Sequence, residues 1–135
     1  GPERFSLEKI AKALGANVTF VGEQTSENLK KLIEESRIFC LPSSYEGMSH
    51  SLLEAMASEI PVIVSDIEPN LELIKHETNG LIFRLRNSEN LSEKIKLLLD
   101  KTDLQDFLKT NAKKDVFEKY EESKILSKYL NIMVT

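Results

Sequence analysis

Ile38-Phe39-Cys40-Leu41-Pro42-Ser43-Ser44-Tyr45-Glu46-Gly47-Met48-Ser49-His50-Ser51-Leu52-Leu53-Glu54-Ala55-Met56-Ala57 reads as strand, loop and helix in succession. The apolar run Ile38 to Leu41 stops at Pro42, as a short buried strand does at its end. The loop is small and polar, and Gly47 gives the backbone freedom to turn. Ser49 is the expected N-cap of the helix that follows. A strand, a glycine loop and a helix N-terminus aim backbone N–H groups and the positive end of a helix dipole at one spot. Such a spot favours an anion, usually phosphate.

Two carboxylates interrupt this otherwise uncharged stretch. Glu46 lies in the loop, and Glu54 lies among Leu52, Leu53, Ala55, Met56 and Ala57. A helix that is apolar on nearly all sides is usually buried, and a carboxylate there needs a partner. Two readings of Glu54 stand at this point. It points to solvent or pairs with His50 one turn earlier, or it is buried and meets hydroxyl donors such as a sugar diol.

Outward from this stretch, helical and strand patterns alternate. Leu7, Ile10, Ala11 and Leu14 have helical spacing, with Gly15 as the stop. Residues 17–21 read as a strand closed by Gly22. Thr25 or Ser26 caps a second helix bearing Leu29, Leu32 and Ile33. Strands are expected at 37–41, 61–65 and 81–85, with a short helix from Asn70 to Ile74 between the last two. Asn87 or Ser88 caps a helix with Leu91, Ile95, Leu98 and Leu99, and two helices follow at about 104–120 and 122–133. This alternation predicts an α/β fold: a Rossmann-like parallel sheet of about four strands with flanking helices and right-handed crossovers. The expected division is 1–100 for the sheet domain and 101–135 for a helical tail, which packs on that domain or on another one.

The 135 residues suffice for one core, and the net charge of −4 argues against binding a nucleic-acid backbone. The lone Cys40 cannot form an internal disulfide and reads as a buried, unreactive thiol. No apolar run is long enough to span a bilayer, and no signal peptide is visible. A cytoplasmic setting fits, with peripheral membrane contact left open. His50 and His76 read as structural rather than catalytic, Met48, Met56 and Phe39 as core or pocket wall, and Lys113-Lys114 as a solvated helix face. No Cys/His metal site is expected.

Pro42-Ser43-x-x-Glu46-Gly47, then Leu52-Leu53-Glu54-Ala55-Met56-Ala57, then Pro61-Val62-Ile63, resembles the nucleotide-sugar half of the family 4 glycosyltransferases, which have the GT-B fold. The spacing of Glu46 and Glu54 matches that family's two-glutamate motif. Val18-Thr19-Phe20-Val21-Gly22 and Asn79-Gly80-Leu81-Ile82-Phe83 match its flanking strands, so the likeness covers roughly residues 1 to 100. Glu59 departs from the glycine the family usually carries there.

The resemblance implies a donor-binding portion of a retaining hexosyltransferase that uses a nucleotide diphosphate sugar and no metal ion; the sequence has no Asp-x-Asp motif. It implies that Glu46 bonds the donor sugar and takes the catalytic role. Gly47, Met48 and Ser49 face sugar and diphosphate with their amides, Ser51 and Leu52 sit near the phosphates, Glu54 holds the ribose and Gly22 borders the base. Further expectations are an acceptor that is a glycan, a lipid or a small molecule, and a chain that starts after two strands of its domain. Those strands would lie between 17–21 and 37–41, leaving either direct pairing of the two or an open edge. Loops there would carry an arginine and a lysine for the diphosphate. Without them, and without the acceptor domain or a partner chain, the chain would be inactive alone. The alternative is a non-catalytic GT-B-like module that binds a nucleotide or a partner protein.

Overall fold

The computed structural model describes residues 3–44 and 50–120. The elements, in chain order, are α1 (Arg4–Ala13), α2 (Ser26–Glu34), β1 (Phe39–Leu41), α3 (His50–Ala57), β2 (Val62–Ser65), α4 (Glu68–Leu73), β3 (Leu81–Phe83), α5 (Ser88–Asp100) and α6 (Thr102–Tyr120). The strands form one parallel sheet in the order β1-β2-β3, with Phe39 opposite Val62 and Ile63 opposite Leu81.

Period-two alternation sorts the strand side chains onto two faces. Phe39, Leu41, Val62, Val64 and Ile82 pack with Ile33 of α2, with Leu52, Leu53, Ala55 and Met56 of α3, and with Ala112 and Val116 of α6. Cys40, Ile63, Leu81 and Phe83 pack with Leu91, Ile95 and Leu98 of α5 and with Leu104 and Leu108 of α6. Thus α6 serves both layers with one stripe of residues spaced by four. Burial pushes the Cys40 thiol above its usual pKa, as expected of a thiol kept in the core. No helix among the described residues is long and apolar enough to cross a membrane.

The caps follow the side chains. Thr25 accepts a hydrogen bond from the Asn28 amide at 3.1 Å, and Asn87 accepts one from the Asn90 amide at 2.9 Å. α1 ends with Gly15 at φ 67°, where the Gly15 and Ala16 amides reach back to the Lys12 and Ala11 carbonyls. α3 ends in the same way, but with Glu59 in the left-handed position at φ 57°. Lys113 of α6 holds that glutamate at 3.0 Å. The short helix before β3 starts earlier than expected, at Glu68, because Pro69 fits its first turn.

Residues 17–21 correct the expectation of a fourth strand. They form no ladder, and β1 pairs only with β2 among the described residues. Of the two outcomes expected for this edge, direct pairing is therefore absent. A β-rich segment becomes a strand only where a neighbouring edge offers its N–H and C=O groups. Here side chains serve the backbone instead: Arg4 Nη2 donates to the Phe20 carbonyl at 3.1 Å, and Gln24 Nε2 donates to the Val21 carbonyl. Val18 and Val21 stay about half exposed. The predicted N-cap Ser49 and the helix at 122–133 lie outside the described residues.

Two substitutions test this packing. A Cβ at Gly80 would lie 2.8 Å from Val62 Cγ2 and 3.2 Å from the Val62 carbonyl oxygen. Gly80→Ala should therefore cost about 1–3 kcal/mol in a denaturant titration. Glu59→Gly should have the opposite sign. It relieves about 1 kcal/mol of left-handed strain and loses an exposed ion pair worth less than that, so the melting temperature should rise.

Candidate functional site

In an open α/β sheet, ligands bind beyond the carboxyl ends of the strands. At that edge β1 runs out through Pro42 into the glycine loop, and β2 ends at Ser65. Asp66 Oδ1 accepts from the Leu85 amide at 3.0 Å, which ties the loop after β2 to the one after β3. Ser65 Oγ lies 2.6 Å from the Ser43 carbonyl oxygen. The first turn of the loop after β1 is thus fastened to the end of β2.

Helix α3 starts at His50 on the far side of that loop. It is held by its apolar residues: Leu52, Leu53, Ala55 and Met56 are all buried in the layer shared with α2 and α6. Among them sits Glu54, only 7% exposed, and its Oε1 has no hydrogen-bond partner among the described residues. The reading in which Glu54 points to solvent is thereby corrected. Leu52 and Leu53 before it and Ala55 and Met56 after it pull this face of the helix inward. Burial raises the Glu54 carboxyl above the ordinary range. Lys30 of α2 pulls it back down, and Glu34 of the same helix pushes it up. A buried carboxylate oxygen without a donor is costly.

The remaining expected residues fall as follows. Ser51 is half-buried in the first turn of α3. The Leu52 side chain is sealed in the core, so any part it plays in a site is through its main chain. Gly22 is placed with α1, at φ 67° against the Arg4 guanidinium. Glu46, Gly47, Met48 and Ser49 lie outside the described residues. Met56 is core and Phe39 packs half-buried against it, within the reading of core or pocket wall. His76 is structural: its Nδ1 accepts from the Ile82 amide at 2.9 Å, and its Nε2 lies 3.3 Å from Glu77 Oε1. Lys113 and Lys114 both sit in exposed ion pairs, with Glu59 and Glu118. Among the described residues no group of three or more His, Cys, Asp or Glu could hold a metal ion.

Sequence reasoning missed Ser65 and Asn70, both buried. Asn70 Nδ2 donates to the Ser65 carbonyl at 3.0 Å and approaches Ser65 Oγ at 3.2 Å. The signal was a hydroxyl closing an apolar strand, five positions before an amide. It also missed the latch on α6. There Asn79 Nδ2 donates to Asp115 Oδ2 at 2.9 Å and to the Leu73 carbonyl, while Asn79 Oδ1 accepts from the Lys75 amide at 2.7 Å.

The architecture is a three-layer α/β domain with an unsatisfied acid buried on the helix that follows β1. The family description "Glycosyl transferases group 1" matches residues 1–115, and the chain belongs to that family. An uncharacterized glycosyltransferase of Methanocaldococcus jannaschii is 34% identical over 98% of this chain and 34% of its own length. Sucrose-phosphate synthase from Thermosynechococcus elongatus superposes with a TM-score of 0.83 at 25% identity, over 97% of this chain and 34% of its own. HepE of Anabaena, solved in complex with UDP-glucose, superposes with a TM-score of 0.82 at 20% identity, over 95% of this chain and 35% of its own. The chain thus spans about a third of the length of these relatives, and its fold is that of a GT-B glycosyltransferase half.

The raised Glu54 carboxyl fixes a sign. The folded state holds this proton more tightly than the unfolded chain does. The associated stability is present below the ordinary glutamate value, about 4.3, and is lost as pH rises through the raised value. Glu54→Gln removes that loss. The ligand-free variant should melt above the parent at pH 7, and the gap should close below about pH 4.3. Equal gaps at both pH values would remove the electrostatic account.

Proposed function

We propose that this chain is the donor-binding portion of a retaining family 4 glycosyltransferase, which moves a sugar from a nucleotide diphosphate sugar to a glycan, lipid or small-molecule acceptor. The observation that carries the reading is Glu54, a buried carboxylate with an unpartnered oxygen on the helix that follows the glycine loop. The family membership and the UDP-glucose complex of HepE support it.

On this reading Glu54 accepts two hydrogen bonds from the ribose diol. These charge-assisted bonds offset the cost of its burial. Glu46 accepts from hydroxyls of the transferred sugar and is the catalytic candidate, because sugar contacts tighten as the anomeric carbon gains positive charge. The amides of Gly47, Met48 and Ser49, with Ser51 and the main chain of Leu52, face the diphosphate. There the helix N-terminus stabilises negative charge as the phosphate leaves. Gly22 borders the base. The reading calls on no metal ion. Transfer also needs groups for the diphosphate and the acceptor beyond these residues.

The two glutamates separate in the intact protein by isothermal titration. The ligands are a panel of UDP-, GDP- and ADP-sugars and the bare diphosphates. Glu54→Ala should weaken diphosphate and sugar nucleotide alike, by about 10- to 150-fold for lost charged hydrogen bonds of about 1.5–3 kcal/mol. Glu46→Ala should weaken only the sugar nucleotide and depress turnover. Unchanged nucleotide binding in Glu54→Ala would turn the motif into a structural one and favour a non-catalytic module.

A further inference from the structure

We infer that Lys30 and Glu34 of α2 are positioning residues for Glu54: Lys30 keeps the buried carboxylate charged, and Glu34 keeps Lys30 from occupying it. The inference rests on the donor-site reading above and adds two residues from a different helix.

Helix α2 packs on α3 through Leu29 and Ile33, which join the layer of Leu52, Leu53, Ala55 and Met56. Lys30 stands three positions before Ile33, so the two share a helix face. Only a quarter of the Lys30 side chain is exposed. A lysine stem of this kind lies along apolar surface while its ammonium reaches for a charge. Two carboxylates compete for that ammonium. Glu34, one turn on, is nearly half exposed, and its Oε1 lies 3.7 Å from Lys30 Nζ, an ion pair longer than a hydrogen bond. Glu54 is buried, and its Oε1 is unpartnered. The lysine is therefore parked on the outer acid and acts on the inner one through space.

Helix α3 packs on α2, α6, β1 and β2. The two strands carry no charged residue. On α6, Lys109 pairs with Asp106 and Lys113 with Glu59, Asp115 accepts from Asn79, and Lys119 donates to the Glu72 carbonyl. Glu27, Lys31 and Glu35 of α2 are exposed, and His50 lies one turn before Glu54 on α3 itself. Among the described residues the charges that act on Glu54 are Lys30, which favours its ionised form, and Glu34, which opposes it. The two work as one device. Without Glu34, Lys30 closes on Glu54 and fills the oxygen that a diol needs. Without Lys30, burial favours the protonated acid, which loses the charge-assisted bonds to that diol. Together they leave Glu54 ionised and vacant.

The test uses Lys30→Met, Glu34→Gln and the double variant in the intact protein, from about pH 4 to about pH 9. The first readout is the titration of the Glu54 carboxyl in the ligand-free protein, followed by carbon NMR. The second is a ratio: Kd for dideoxyribose analogues of UDP, GDP and ADP, which lack the diol, over Kd for the diphosphates themselves. Titration of the phosphates cancels in that ratio. Lys30→Met should move the Glu54 titration to higher pH, and Glu34→Gln should move it to lower pH. In Lys30→Met the ratio should fall at a higher pH than in the unsubstituted protein. At about pH 8, Glu34→Gln should lower the ratio roughly three- to tenfold, the range of one internal hydrogen bond, because Lys30 then occupies Glu54. The double variant should regain the ratio of Lys30→Met alone. A Glu54 titration that neither substitution moves would overturn the inference whatever the ligands do. A double variant that keeps the loss seen in Glu34→Gln would also overturn it, since Glu34 would then act without Lys30. Expected titration shifts beside a ratio near one in the unsubstituted protein would sink the diol reading of Glu54, and the positioning role with it.

Discussion

Every residue of β2 is buried, and β2 alone among the described strands has a hydrogen-bonded neighbour on each side. Val62 and Val64 face one layer, Ile63 faces the other, and Ser65 closes the strand with a polar group that the core must satisfy. The rest of the domain is arranged around that constraint. A strand covered on both faces requires helices on both sides, and short parallel strands cannot be joined by tight turns. The connections that supply those helices also bring the β1 loop and the start of α3 to the same end of the sheet.

The site inherits its rigidity from this arrangement and its cost from one side chain. Glu54 occupies a position that an alanine or leucine would fill with less strain on the fold. Its carboxyl is raised by desolvation, and its nearest charges pull in opposite directions, Lys30 down and Glu34 up. Natural domains tolerate such local conflict where function needs it and offset it elsewhere. Here the offset lies in the surrounding apolar contacts of α2, α3 and α6.

What could be read in the sequence divides along physical lines. The layers, the parallel sheet and the caps at Thr25 and Asn87 were legible, because period and capping chemistry are local properties. Strand ends were overrun by a residue or two at 37–41, 61–65 and 81–85, since ladders stop where partners stop. Residues 17–21 were misread because strand formation depends on a neighbour that propensity does not reveal. The burial of Glu54 could be suspected from its neighbours but not decided, as solvent and core readings share the same spacing. The Ser65–Ser43 tie and the Asn79–Asp115 latch were invisible, because each joins residues far apart in sequence. Ser65 and Asn70 left only a faint local trace, a hydroxyl closing an apolar strand five positions before an amide.

The stripe on α6 has a consequence for how the domain is made. Leu104 and Leu108 close the α5 layer, while Ala112 and Val116 close the α3 layer. The α5 layer is therefore incomplete until the start of this helix has left the ribosome, and the α3 layer until Val116 has. Synthesis and burial are out of step: α3 emerges well before Ala112 and Val116, which help to cover it. Until then Leu52, Leu53 and Met56 stand open on the nascent chain, a sticky surface of the kind that holding chaperones cover. A ribosome stalled after α5 would carry a sheet with both coats unbuttoned.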